Sequence, residues 1–130
     1  MGDLRLIFSA FLSIFVVGCG QLPQNTVELF FNRLDKGNVK GAEEMVDPSI
    51  MRGYSQIVDL YLQDYSKRMK DCGHIKSISI RQVASGETFR SYFVLISYHQ
   101  EHTNNDKCSL VARNRVQLLK KDDKWYLSNF

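Results

Sequence analysis

The residues whose types and spacing could do chemistry fall into three groups. The first is the cysteines. Cys19 ends an uncharged apolar run behind a small residue, and Cys72 and Cys108 remain as a matched pair. In an oxidising compartment such a pair is expected to form a disulfide; two buried free thiols are the alternative. The second group is His99 and His102, which bracket Gln100-Glu101 with Asp106 nearby. A His-x-x-His pair plus a carboxylate can ligate zinc, but no CxxC or clustered Cys/His pattern accompanies it. The stretch has the polar composition of a hairpin tip, so no metal and no other cofactor is expected. The third group is Tyr54, Tyr61, Tyr65, Tyr92, Tyr98 and Asn114, with Arg113 or Arg115 depending on strand register. Hydroxyls and an amide facing inward could bind a small polar ligand, and Tyr61, Tyr65, Tyr92 and Asn114 are the candidate pocket. The competing reading is core tyrosines whose hydroxyls reach the surface. No histidine or carboxylate falls clearly among the inward positions. No nucleophile motif, phosphate loop or dinucleotide fingerprint is present, so no catalytic residue is assigned and an enzyme is not expected.

The elements that must position these residues begin after the amino terminus. Leu6 to Val17 reads LIFSAFLSIFVV, preceded by Arg5 and partly offset by Asp3. The run has the length of a signal-peptide core and falls short of the ~20 residues a membrane-spanning helix needs. Val16-Val17-Gly18-Cys19 resembles a bacterial lipobox, with Val16 where leucine is commoner. The resemblance implies a signal peptide over residues 1–18, cleavage before Cys19 and diacylglycerol attachment to its sulfur. An uncleaved anchor, or a plain signal with an incidental cysteine, is the alternative. Gly20 stands where aspartate commonly retains Gram-negative lipoproteins at the inner membrane. By that sorting rule the expected address is the periplasmic face of the outer membrane. Residues 19–24 would be a lipidated tether and 25–130 one domain.

The full chain of 130 residues is of ordinary globular composition, 44% hydrophobic and 24% charged, with a net charge of only +3. Charges of both signs are interspersed, which leaves nucleic-acid binding without an electrostatic footprint. A helix is expected from Asn25, with Asn25 and Glu28 as a capping box and Val27, Phe30, Phe31 and Leu34 on one face. Gly37 suits its end. Asn38 is expected to cap a second helix running to about Val46, broken by Asp47-Pro48. A third runs from Ser49 to Asp71, with Gly53 a possible interruption and Lys67, Arg68 and Lys70 at a solvated end. From His74 the period changes to two. Strands are expected to about Val83, over Phe89–Tyr98, over Cys108–Lys120 and over Trp125–Phe130. Ser85-Gly86-Glu87, a polar loop over Gln100–Lys107 and a turn holding two aspartates join them. Phe93 and Leu95, opposite Tyr92 and Val94, mark the second strand as central. This is an α+β plan, three helices on a four-stranded antiparallel meander. In a meander the first and third strands start at the same end, which places Cys72 and Cys108 within reach of each other.

Four phrases carry a wider resemblance. They are Val27-Glu28-Leu29-Phe30-Phe31 leading to Leu34-Asp35-Lys36-Gly37-Asn38, Ala42 through Met45-Val46-Asp47-Pro48, Gly73-His74-Ile75-Lys76-Ser77-Ile78, and Leu118 through Trp125-Tyr126-Leu127. In this order they resemble small bacterial lipoproteins of uncharacterised function with a nuclear transport factor 2-like (cystatin-like) domain. The resemblance implies a curved sheet wrapped against the long third helix around a conical hollow. It carries over no catalytic residues. The expected function is that of a lipid-anchored envelope protein, non-catalytic, held to the membrane by its lipid and acting on a protein partner as an accessory, immunity or exclusion factor. A small-ligand binder using the cone is the alternative, and an enzyme the third.

Overall fold

The structure, a computed structural model, describes residues 22–100 and 106–130. The expected signal peptide and Cys19 lie outside the described residues. Helix α1 spans Pro23–Asp35, α2 Val39–Glu43 and α3 Pro48–Asp71; strands follow as β1 Ile75–Ser85 and β2 Phe89–Tyr98. A short helix α4, Asp106–Leu110, precedes β3 Arg113–Lys121 and β4 Lys124–Asn129. The sheet is antiparallel in sequence order, β1-β2-β3-β4. Bulges in β1 and between β3 and β4 break the register, and such breaks bend a strand and deepen its twist.

Helix α1 starts two residues earlier than expected, so the last part of the expected tether is helical. Pro23 explains it: its fixed φ suits the first helical turn, where a missing N–H leaves nothing unpaired. The side chain of Asn25 therefore caps nothing. Both long helices end in the same way. Gly37 and Gly73 adopt φ of 79° and 84°, and their N–H groups donate to Leu34 and Lys70 while those of Asn38 and His74 reach back to Arg33 and Met69. A side chain there would be strained, so glycine is the residue that permits this ending. Asn38 caps α2 as expected, accepting from the Gly41 N–H at 3.0 Å.

The second helix stops at Glu43. Val46 instead forms a bridge with Leu127 of β4, because the Asp47 and Leu127 N–H groups donate to the Leu127 and Met45 carbonyls. Asp47-Pro48 ends one element and starts the next. Asp47 accepts from the Ser49 N–H at 3.1 Å, Pro48 opens α3, and Lys121 of β3 donates to the same carboxylate at 2.6 Å. Although 3% exposed, Asp47 stays ionised. Burial works to raise its pKa, but the bonds from Lys121 and Ser49 outweigh burial and hold it below the usual carboxylate range. Helix α3 breaks its helical angles at Tyr54, beside Gly53.

The third strand begins at Arg113, not Cys108. The alternation of Leu110 and Ala112 imitates a strand, yet a helical turn is what carries Cys108 and Val111, three apart, inward together while Leu110 is exposed. Cys72 and Cys108 are bonded, with Cα atoms 5.6 Å apart, so the bond joins the end of α3 to α4 rather than the starts of two strands. Asp122 and Asp123, both at positive φ, make the last hairpin turn. The core lies between the helices and one face of the sheet: Val27, Phe30, Phe31, Leu34, Leu62 and Met69 meet Val94, Ile96, Val116, Leu118 and Leu127.

Candidate functional site

Register decides what each face of the sheet presents. Tyr92, Val94, Ile96 and Tyr98 of β2 point to the helices, and Asn114, Val116 and Leu118 of β3 join them. Arg113 and Arg115, entertained above as inward residues, face away.

On the inner face the described tyrosines are packed. Tyr65 and Tyr92 are 6% and 2% exposed, so water-sized space barely touches them. The Tyr65 hydroxyl donates to Asn114 Oδ1 at 2.7 Å and lies 3.2 Å from the Val111 carbonyl, which accepts from Tyr98 at 2.7 Å. Burial pushes the pKa of both phenols well above that of free tyrosine, so neither exchanges a proton near neutrality. Tyr61 is half-exposed and packs on Tyr65 and Phe130, with ring centroids 6.1 and 6.0 Å away. Phe130 reaches on to Phe30 at 5.4 Å. The four candidate pocket residues therefore do not come together around a space. Tyr65 and Asn114 are one hydrogen-bonded pair in which Tyr65 is buried and Asn114 partly so, with the Asn114 Nδ2 buried and without a partner among the described residues; Tyr92 is core, and Tyr61 sits at the rim. Tyr65, Tyr92 and Tyr98 are buried, and the hydroxyls of Tyr65 and Tyr98 bond inward rather than reach the surface.

The histidines are separate. His74 Nδ1 lies 3.1 Å from Asp35 Oδ1, and Asp35 Oδ2 accepts from the Ile75 N–H at 3.2 Å, which fastens the end of α1 to the start of β1. His102 and the Asp106 side chain lie outside the described residues. Among the described residues no group of three or more His, Cys, Asp or Glu could hold a metal. Of the basic cluster closing α3, Arg68 pairs with Asp64 at 2.7 Å.

The outer face of the sheet has another character. Pairing aligns Ser79, Leu95 and Arg113 in one row and Arg81, Phe93 and Arg115 in the next. Phe93 is 36% and Leu95 51% exposed. The Arg81 and Arg115 guanidinium carbons stand 5.6 and 4.8 Å from the centre of the Phe93 ring. Each cation rests over an aromatic face, which holds a long side chain in place without neutralising it. These residues line an open depression of about 530 Å³ with no carboxylate among its described lining residues. None of the ion pairs among the described residues involves Arg81, Arg113 or Arg115. Sequence reasoning passed over this cluster because an outward arginine in a strand looks like ordinary surface. The alternation Arg113-x-Arg115 opposite Phe93-x-Leu95 was the available signal.

In a comparison of structures the chain resembles a crystal structure from Campylobacter jejuni that carries the provisional name NTF2-like transpeptidase. The TM-score is 0.67 and the identity 21%, over 83% of this chain and 98% of that one. The likeness shows an NTF2-like fold. No family model matches the chain, and no curated protein matches it.

Proposed function

We propose that the chain is a lipid-anchored envelope protein that acts without catalysis, by docking a protein partner on the outer face of its sheet. The observation that carries this reading is the row Arg81–Phe93–Arg115 with Arg113 and Leu95 beside it, a mixed apolar and cationic surface whose arginines make no ion pair among the described residues. Exposed aromatic and arginine side chains are the types that dominate binding energy at protein interfaces. The inner face supports the same choice, because Tyr65 and Tyr92 are buried in the core and Asn114 Oδ1 is taken up by the Tyr65 hydroxyl. The transpeptidase name belongs to the Campylobacter protein. In this chain both described cysteines are tied in one bond, and the buried Ser66 hydroxyl donates to the Leu34 carbonyl at 2.6 Å.

The anchor rests on Val16-Val17-Gly18-Cys19. Among the described residues no helix is long and apolar enough to cross a membrane. One acyl chain binds a membrane only marginally, whereas two or three hold a protein there. Cells fed labelled palmitate are expected to incorporate it into the wild-type protein, which sediments with membranes. Cys19→Ala is expected to lose the label and the lipid-dependent attachment. Equal labelling of the variant would remove the lipid anchor from the proposal.

A further inference from the structure

We infer that the partner segment seated on the outer face is acidic, with two carboxylates flanking an apolar side chain. The inference rests on the docking reading above and names the chemistry of the occupant. Arg81, Arg113 and Arg115 all line the depression, with no carboxylate among the described lining residues. Like charges held together on a surface repel, and an anionic partner turns that repulsion into attraction.

The geometry specifies more than charge. Arg81 and Arg115 straddle β2, so their Cα atoms stand about 10 Å apart, and Arg113 and Arg115 are about 6.8 Å apart along β3. Carboxylates at alternate positions of an extended segment repeat at about the second spacing. Guanidinium forks pair with carboxylates bidentately, and resting on the Phe93 ring sets two of the forks in place beforehand. Leu95 and the Phe93 edge leave an apolar floor between them for one side chain of the segment.

Other occupants fit less well. A second copy related by a two-fold axis would set this cationic face on itself. A planar bilayer does not enter a depression. Stacking nucleobases need an open ring face, and here guanidiniums stand over the Phe93 ring.

The test uses the full chain, purified from membranes in detergent, and a dye-labelled peptide alternating glutamate with leucine and phenylalanine. Saturable binding is expected that weakens with salt, and the same peptide with lysine for glutamate is expected not to bind. Arg81→Glu with Arg115→Glu should weaken binding at least ten-fold, and Arg113→Gln less, with circular dichroism unchanged. If the exposed double reversal misfolds, Arg81→Gln with Arg115→Gln gives the same comparison without reversed charge. Equal affinity of the neutral double variant, or preference for the lysine peptide, overturns the inference. So does arginine-dependent binding of phosphatidylglycerol vesicles or oligothymidylate in place of the glutamate peptide. A photoreactive phenylalanine at position 93 separates the two levels. A crosslinked protein in cells alongside a silent peptide leaves docking standing and removes the acidic partner; peptide binding with no crosslink leaves the affinity of this face for acidic segments and removes docking in the cell.

Discussion

Replacing both Cys72 and Cys108 with serine is expected to lower the free energy of unfolding by about 3–4 kcal/mol, the chain-entropy value for a closed loop of this size. The two residues are 36 apart in sequence, and their Cα separation of 5.6 Å lies in the range a disulfide prefers. Domains of this size are stable by about 5–15 kcal/mol, so the loss is a large share of the whole. The bond also ties α4 to the end of α3. Just beyond it, the Val111 carbonyl accepts the Tyr98 hydroxyl. Urea titration followed by Trp125 fluorescence reads the effect as a fall in midpoint of about 2 M, at about 1–2 kcal/mol per molar. An unchanged midpoint would show that the bond does not brace the fold.

The second large effect is on pH dependence. Burial pushes the Glu43 carboxyl up to about 7, and hydrogen bonding with Asp59 and repulsion by its charge push the same way, against a smaller pull from Lys40. One oxygen of Glu43 is buried without a partner among the described residues. The folded chain thus holds this proton more tightly than the unfolded chain, where the group titrates near 4.5. The resulting stabilisation is full below that value and disappears as pH rises through about 7. At about 1.4 kcal/mol per pKa unit, discounted for partial access of water, stability should fall by about 2 kcal/mol between pH 5 and pH 8. Glu43→Gln keeps the shape of the protonated acid. It is expected to flatten that slope and to stabilise the protein at pH 8 by a similar amount. Asp47 acts in the opposite sense, since its depressed pKa contributes stability that is lost as pH falls through the folded value. A urea midpoint that rises from pH 5 to 8, or a variant with the parent slope, would contradict the assignment.

Much of the fold was legible because local rules and tertiary demand agree. Gly37 and Gly73 end helices through left-handed backbone that glycine alone adopts freely, and Asn38 caps α2 through its own side chain. Strand β2 matched its expected bounds, since Tyr92, Val94, Ile96 and Tyr98 must all reach the core. Where two local rules competed, the sequence misled. Asn25 looked like a cap, but Pro23 starts the helix first. Leu110 and Ala112 looked like alternate strand residues, but a helical turn better carries Cys108 and Val111 inward. The four residues Tyr61, Tyr65, Tyr92 and Asn114 are a different case, since they do not surround a common space. Whether Tyr65 faces a ligand or Asn114 depends on how tightly helices seat on a sheet, and single-chain periodicity does not contain that distance. The arginine–phenylalanine row was equally hidden, because Arg81, Phe93 and Arg115 become neighbours only through strand pairing.

The docking claim is met most directly by a photoreactive phenylalanine placed at position 93 of the membrane-bound protein in living cells, with a second probe at the exposed Leu60 of helix α3. A discrete crosslinked protein is expected from position 93 and not from position 60, and it should vanish when Arg81→Glu and Arg115→Glu are introduced together. No adduct at 93, or adducts of equal yield from both positions, would contradict it.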